Sequence, residues 1–419
     1  MSQHETSRAL DILSSISVII PTYNRSSLLI ETLERCRRYS EGMDIEFVVI
    51  DDGSKDETAT ALEALATTWP DLNWRSVENT GPGQARNLGA SLATKDVLLF
   101  MGDDIQPQDE DFFRVHAQLH AQSPTENLGV LGKIVWPSQT TGGKGANFVM
   151  SHVQGVGGEQ FGYSDLAPYS FVDWRFFYTA NISVRRNLVR DWLTEGFSDS
   201  FPLAAWEDAE FAYRMSERKE NRLRIFYTPA STGTHHHQFS VDSFMQRQNA
   251  SGLMAGIFCD LHPQKKIRTL VGTELVHDAL SLTRHPDHDK RVPDLLSLIE
   301  GIKSWARLSE ARFQLGTEHW HEDMLRAVFR LSFLEGFIMH TSDPEANLAA
   351  AYQRILDDFV WHMSRTIHVE FSSQMLTPHN LLSPWPMGTT QPSSLRLWAA
   401  QKPFLRTPFL RLRRLMFGR

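Results

Sequence analysis

Short apolar runs alternate with helix-period segments through the first third of the chain, and this alternation restricts the fold more than any other feature. Ile16 to Ile20, Ile45 to Ile50, Trp74 to Val77 and Val97 to Met101 read as strands, being short and rich in β-branched or aromatic side chains. Between the second and third, Ser54 precedes Glu57 by three residues, a capping-box spacing, and Ala59, Leu62, Leu65, Ala66 and Trp69 follow on one helical face. Such repetition predicts an α/β fold, a Rossmann-like, mostly parallel sheet with flanking helices whose ligand loops gather at the carboxyl ends of the strands. Periodicity alone leaves every α/β fold open.

Further along, Trp136 to Pro168 carries seven glycines, Gly142, Gly143, Gly145, Gly155, Gly157, Gly158 and Gly162, which predicts a long surface excursion of the kind that forms lids and binding loops. After His237 the pattern turns helical, around Leu270 to Leu282, Val292 to Leu308, Trp320 to His340 and Asp343 to Thr366, the last opening on the capping pair Asp343-Pro344. The expected organisation is therefore a catalytic domain over 1–240, a C-terminal α-helical accessory domain over 241–380, and a proline-rich linker with a basic amphipathic tail over 381–419. From Ser393 onward there are seven basic residues and no acidic one. That tail either packs its apolar residues on the helical domain or lies peripherally on an anionic membrane.

A net charge of −8 and a pI near 6.1 offer no basic face to phosphates, so nucleic acid is excluded as a partner. Only Cys36 and Cys259 occur, without Cys-x-x-Cys spacing, which argues against a disulfide framework or a thiolate zinc site and for a reducing, cytoplasmic setting. The first sixteen residues, with Glu5 and Asp11, lack the pattern of a secretory signal, and no stretch reaches the roughly 18 apolar residues of a membrane span.

Four segments carry chemistry. Ser17 to Arg25 is an apolar strand stopping at Pro21 and opening into Thr22-Tyr23-Asn24-Arg25; Val48 to Ser54 delivers Asp51-Asp52-Gly53-Ser54; Asn79 to Gly89, then Phe100 to Ile105, bring Arg86 and Gly102-Asp103-Asp104; and Trp206-Glu207-Asp208-Ala209-Glu210 opens a helix. Strand-end carboxylates of a parallel sheet share one edge, so Asp52 and Asp103-Asp104 can face a common crevice. An Asp-Asp pair at a strand end serves equally well as a helix cap. A sugar nucleotide suits the first alternative: one carboxylate fits base or ribose, and another holds a hard cation such as Mg2+ or Mn2+ that bridges the diphosphate.

Taken together, these segments resemble the family-2 glycosyltransferases of the GT-A fold, over about Ile16 to His237. The resemblance rests on Pro21-Thr22-Tyr23-Asn24, Asp51-Asp52-Gly53-Ser54 with Asp56 and Thr58, Ala85-Arg86-Asn87 with Gly89, Asp103-Asp104, and Glu207-Asp208. It implies that Pro21 and Tyr23 line the base pocket, that Asp52 bonds the base, that Arg86 sits near base or phosphate, and that Asp103 approaches the ribose or sugar. It further implies that Asp104 ligates the metal, that Asp208 is the general base with Glu207 positioning loop or acceptor, and that the donor sugar is transferred with inversion. Many members carry an acid where this chain has Gly102, which leaves the division of labour between Asp103 and Asp104 open.

His235 and His237 follow the strand Leu223 to Tyr227 and, two residues apart, would face one side, toward the edge where the metal would sit. A histidine-rich surface turn needs no function, and an arginine at Arg86 can equally pair with a surface carboxylate. The expected partners are a nucleotide-sugar donor, UDP-linked by preference, and a glycan, lipid-linked or protein acceptor. The rivals are a catalytically silent glycan-binding scaffold of the same fold and a nucleotidyltransferase, which would leave Glu207-Asp208 without a role.

Overall fold

The computed structural model describes residues 13–123, 125–137, 148–154, 160–271, 303–304, 306–308, 310 and 320–340. They divide into two compact units, one from Met1–Gly143 and Gln154–Gln238, the other from Lys144–Val153 and Phe239–Arg419. Most of the helices expected around Leu270 to Leu282 and Val292 to Leu308, and all of that around Asp343 to Thr366, the Leu381 linker and the basic tail lie outside the described residues.

In the first unit the strands are β1 (Ile16–Thr22), β2 (Ile45–Asp51), β3 (Leu72–Ser76), β4 (Val97–Met101), β5 (Ile105–Pro107), β6 (Leu128–Val135), β7 (Ser170–Val172), β8 (Asn181–Arg185) and β9 (Arg224–His235). They form one sheet in the order β3-β2-β1-β4-β8-β6-β9-β5, with β7 added beside β9. From β3 to β4 every pairing is parallel, as the sequence predicts. Beyond β4 the sheet is mixed: β8 runs antiparallel to both β4 and β6, β6 is parallel to β9, and β9 takes β5 and β7 antiparallel. Strand β9, twelve residues long, spans three neighbours, and it ends at His235.

Helices α1 (Ser26–Tyr39), α2 (Thr58–Ala66), α3 (Pro82–Leu92) and α4 (Asp111–Gln122) cover the two faces. Alternation along β1 divides the core: Val18 and Ile20 join Leu29 and Leu33 of α1 on one side, whereas Ile19 joins Ala85 and Ala90 of α3 on the other. Being buried on both faces, β1 and β2 read as near-continuous apolar runs. Helix α3 needs small residues because it lies close to the sheet; a Cβ at Gly89 would come within 2.6 Å of Ile19 Cγ2. Truncating a fully buried residue such as Leu33 to alanine should cost about 2–5 kcal/mol.

The glycine-rich stretch is not all loop. Its Phe148–Gln154 segment forms helix α5, with Val149, Met150 and Val153 buried, and all of it but Gln154 groups with the second unit. The apolar spacing of those residues supplies a face that the glycine count conceals. Two short helices follow in the first unit, α6 (Trp192–Glu195) and α7 (Glu207–Ser216). The second unit continues with α8 (Val241–Leu261), α9 (Lys265–Val271) and α10 (Trp320–His340). Ser240 caps α8 by accepting from the Ser243 backbone N–H at 3.1 Å. Helices α8 and α10 approach so closely that a side chain at Gly252 would strike the Phe333 backbone, and one at Gly336 the Asn249 backbone. Among the described residues no helix is long and apolar enough to cross a membrane.

Candidate active site

At the end of β1 the chain turns through Asn24, which adopts a left-handed φ of 52° tolerated by asparagine. Its backbone N–H donates to Ser54 Oγ at 2.8 Å and its Oδ1 accepts from the Lys55 N–H at 2.7 Å, which ties the β1 loop to the β2 loop. Ser54 is therefore engaged before α2 begins, and the capping box expected of Ser54 and Glu57 does not form. The Asp56 carboxylate accepts from the Thr58 N–H at 3.1 Å instead. Tyr23 stands half exposed on this loop and Pro21 is partly buried behind it.

Asp52, buried at the end of β2, accepts from the Thr80 N–H at 2.8 Å and the Gly81 N–H at 2.9 Å. Two charge-assisted bonds thus fix the turn that launches α3. Gly81 makes that turn at φ 92°, where a Cβ would also meet the Pro202 carbonyl oxygen at 2.8 Å. Pro82, first residue of the helix, has no N–H to leave unpaired.

Strand β4 is followed by Gly102-Asp103-Asp104, and the register that pairs Ile105 of β5 with His235 brings the acids beside the histidines at the end of β9. Asp104 Oδ2 lies 3.2 Å from His235 Nε2 and 3.4 Å from His237 Nδ1. Ligand atoms of Asp104, His235 and His237 all fall within 4.8 Å of one another. The third histidine, His236, only donates its backbone N–H to the Asp104 carbonyl at 2.8 Å. Thr22 Oγ1 donates to Asp103 Oδ2 at 2.8 Å, and Arg25 bridges the two acids, with Nη1 at 2.9 Å from Asp103 Oδ1 and 2.6 Å from Asp104 Oδ2.

These surroundings separate the acids. Burial, and then the neighbouring Asp104 charge, push the Asp103 carboxyl up to about 6. Burial acts on Asp104 as well, but His235, His237 and Arg25 outweigh it and hold that carboxyl well below its usual range. One carboxylate and two imidazoles suit a borderline-hard divalent ion such as Mn2+. His235 turns Nε2 to the acid, and its Nδ1 is buried with no hydrogen-bond partner among the described residues, so the set lacks the supporting bond that usually orients a ligating imidazole.

The ring of Trp136 stacks on His235 at 4.4 Å, Phe161 lies 5.8 Å from the same imidazole, and Phe161 contacts Tyr178 at 5.1 Å. This aromatic wall runs from the histidines to Tyr178, whose hydroxyl is pushed up to about 12 by burial, with the charge of Asp208 among the further causes.

Asp208 is the second residue of α7, after Trp206 has turned the chain at a left-handed φ of 64°. A helix N-terminus favours a carboxylate, so its position in the sequence predicts an ordinary acid. The structure corrects this: although part of the residue opens to solvent, enclosure of the carboxyl and then the neighbouring Glu207 charge raise it to about 7, against Arg86. Glu207 itself is buried, its Oε1 accepting from Arg86 Nη1 at 2.8 Å. Arg86 is therefore neither on the surface nor open toward a ligand through this nitrogen; it is held between α3 and α7.

Residues 17–181 match the model of glycosyl transferase family 2. Among curated relatives, the uncharacterised glycosyltransferase YfnE of Bacillus subtilis is 33% identical over 28% of this chain and 29% of its own length. The dolichol-phosphate mannosyltransferase of Pyrococcus furiosus is 35% identical over 23% and 27%. Among solved structures, the mannosyltransferase PcManGT of Pyrobaculum calidifontis, in complex with GDP-Man and Mn2+, is 18% identical with a TM-score of 0.42, over 82% of this chain and 87% of that one. Residues 17–181 belong to glycosyl transferase family 2. The chain spans less than a third of the length of these two curated relatives.

The family-2 match ends at Asn181, so Glu207, Asp208, His235 and His237 reach the same unit from beyond it. Of the residues singled out in the sequence, the fold brings Asp103, Asp104, His235 and His237 into one cluster, and Arg86, Glu207 and Asp208 into another. Asp52 stands apart from both, its two oxygens engaged by the α3 turn, although Gly81 and Arg86 link it to the second. Sequence reasoning missed Arg25, Thr22 and Trp136. A signal existed for Arg25: two buried acids require a counter-charge, and it is the one cation of the Pro21 to Arg25 motif.

Proposed function

We propose that this chain is an inverting, metal-assisted glycosyltransferase moving a sugar from a nucleotide diphosphate, a UDP-sugar by preference, to a hydroxyl of a glycan, lipid-linked or protein acceptor. The observation that carries the proposal is Asp208: a carboxyl raised to about 7, on a family-2 domain that also holds an Asp-His-His cluster at its strand ends. Asp208 takes the acceptor proton as that oxygen bonds to the anomeric carbon, and the bond from that carbon to the diphosphate oxygen breaks with its electron pair. Asp104, His235 and His237 would hold a Mg2+ or Mn2+ ion, which supplies positive charge to the leaving diphosphate. Asp103 meets the ribose or sugar, Pro21 and Tyr23 line the base, and Asp52 supports that pocket by fixing the turn at Gly81. The name of the P. furiosus relative, a dolichol-phosphate mannosyltransferase, supports the lipid-linked choice of acceptor.

A thermal-shift screen of UDP-, GDP-, CMP- and dTDP-sugars with and without Mn2+ tests the reading. One donor at about 100 times its dissociation constant should stabilise the protein by roughly 2.7 kcal/mol, and EDTA or Asp104→Asn should abolish the shift. Absence of a shift with every donor, or full shift and transfer in excess EDTA, would refute the donor or the metal part respectively.

A further inference from the structure

Arg25 sits where the proposed metal's charge would act. Its Nη1 donates to Asp103 Oδ1 and Asp104 Oδ2, at 2.9 Å and 2.6 Å, and its Nη2 lies 3.2 Å from His237 Nδ1. His237 Nδ1 thus sits between Arg25 Nη2 at 3.2 Å and Asp104 Oδ2 at 3.4 Å, so the guanidinium reaches the same ring nitrogen that the cluster turns to Asp104. The same Asp104 Oδ2 and His237 Nδ1 belong to the Asp-His-His cluster. A divalent ion and the guanidinium therefore compete for Asp104 Oδ2 and for the space beside His237 Nδ1, and their like charges oppose simultaneous occupancy. Arg25 immediately precedes α1 and its side chain is 35% exposed, so solvent lies on one side of the guanidinium.

We propose that Arg25 is a built-in cation that competes with the divalent metal for Asp104 and His237, so that metal binds weakly until a donor diphosphate draws the guanidinium away. The inference rests on the metal site proposed above. It follows that metal and nucleotide bind with positive coupling, because the diphosphate offers Arg25 a bidentate partner in exchange for the carboxylates it gives up. Arg25 is in this sense a positioning residue, regulating when the cluster becomes available.

Calorimetric titration of the full chain with Mn2+, alone and with saturating UDP, tests this without reference to turnover. Arg25→Gln should bind Mn2+ alone at least about tenfold more tightly than the native chain, and the factor by which UDP tightens Mn2+ should shrink by a similar amount. Arg25→Lys, which keeps the charge but not the fork, should fall between the two, and provides the comparison if Arg25→Gln melts early. Equal or weaker Mn2+ binding in both variants overturns the inference. If UDP-dependent Mn2+ binding is intact in all three proteins, the metal site survives that failure; if none binds Mn2+ under either condition, the metal site fails as well.

Discussion

Arg86 and Glu207, 121 residues apart in the chain, meet at 2.8 Å as a buried ion pair that joins the start of α3 to the start of α7. The pair connects two parts of the proposed site. Asp52 anchors the turn that begins α3, and Asp208 directly follows Glu207, so the donor-side loop and the proposed base share one electrostatic support. Burial makes the pair a constraint on geometry more than a source of stability, since both ions surrender hydration to form it.

Loss of either partner alone strands the other charge. Glu207→Gln should destabilise the protein by about 3–5 kcal/mol, more than the mild effect expected of a surface residue that positions an acceptor. Adding Arg86→Met to that variant should recover most of the loss. Urea unfolding of the two single variants and the double variant measures this, and a single-variant loss below about 1 kcal/mol would show that the pair does not hold the helices together.

Gly102 has a role that family comparison alone obscures. A Cβ there would lie 2.9 Å from Asp104 Oδ1 and 3.0 Å from Ile105 Cγ1, so the missing acid leaves space for the carboxylate beside the histidines. Gly102→Asp, which restores an acidic triplet, should therefore weaken Mn2+ binding in the presence of UDP by at least about tenfold, through displacement of Asp104. Calorimetry decides the matter; tighter binding would mean that a third acid is simply an additional ligand.

His116 and His120 are buried beneath β8, where Ser183 Oγ lies 2.7 Å from His116 Nδ1 and 2.9 Å from His120 Nε2. Burial lowers them to about 4 and about 3. Because these values lie below that of an unfolded histidine, the unfolded chain binds more protons below pH 6.5. The stability they contribute is complete above that pH and is lost as pH falls toward about 4 for His116 and about 3 for His120. Between pH 7 and pH 5 the loss should be about 2 kcal/mol per histidine. His120→Gln should flatten the difference between urea midpoints at the two pH values, and an unchanged difference would contradict a neutral buried imidazole.

How much of this was legible in the sequence follows from the range of each interaction. Strands β1, β2 and β4 were visible because they lie in mostly apolar runs, whereas β3, Leu72-Asn73-Trp74-Arg75-Ser76, was found only in part at Trp74 to Val77, and the His235/His237 pair was visible because period two is a local property of a strand. The mixed half of the sheet was not visible, since the pairing of β8 between β4 and β6 depends on contacts among residues some fifty to ninety positions apart. The same applies to Ser54: its local spacing to Glu57 suggests a cap, but Asn24, thirty residues away, takes the hydroxyl. Asp208 illustrates the limit for chemistry. Its helix position was readable, whereas the enclosure that raises its carboxyl was not.

That enclosure gives Asp208 its clearest test. A general base works in its ionised form, so kcat/KM should rise with pH through a midpoint of about 7 and level off above it. Glu207→Gln removes the neighbouring negative charge and leaves Arg86, so the midpoint should move below 7 in that variant. Asp208→Asn preserves shape but cannot accept a proton, and should lower turnover by at least about 10²-fold with donor affinity nearly unchanged. Stability supplies an independent reading. A carboxyl raised from 3.8 to about 7 costs about 4 kcal/mol to ionise in the folded protein. Since the folded value is the higher one, native stability falls as pH rises from about 4 to about 7. Asp208→Asn should therefore be more stable than the native protein at pH 8 and equal to it near pH 4. A helix cap would behave oppositely, its loss costing about 1 kcal/mol at neutral pH. Turnover, or donor hydrolysis without acceptor, together with donor affinity and urea midpoints at pH 4 and pH 8, separates the two roles: a stable variant with near-native turnover would remove Asp208 as the base.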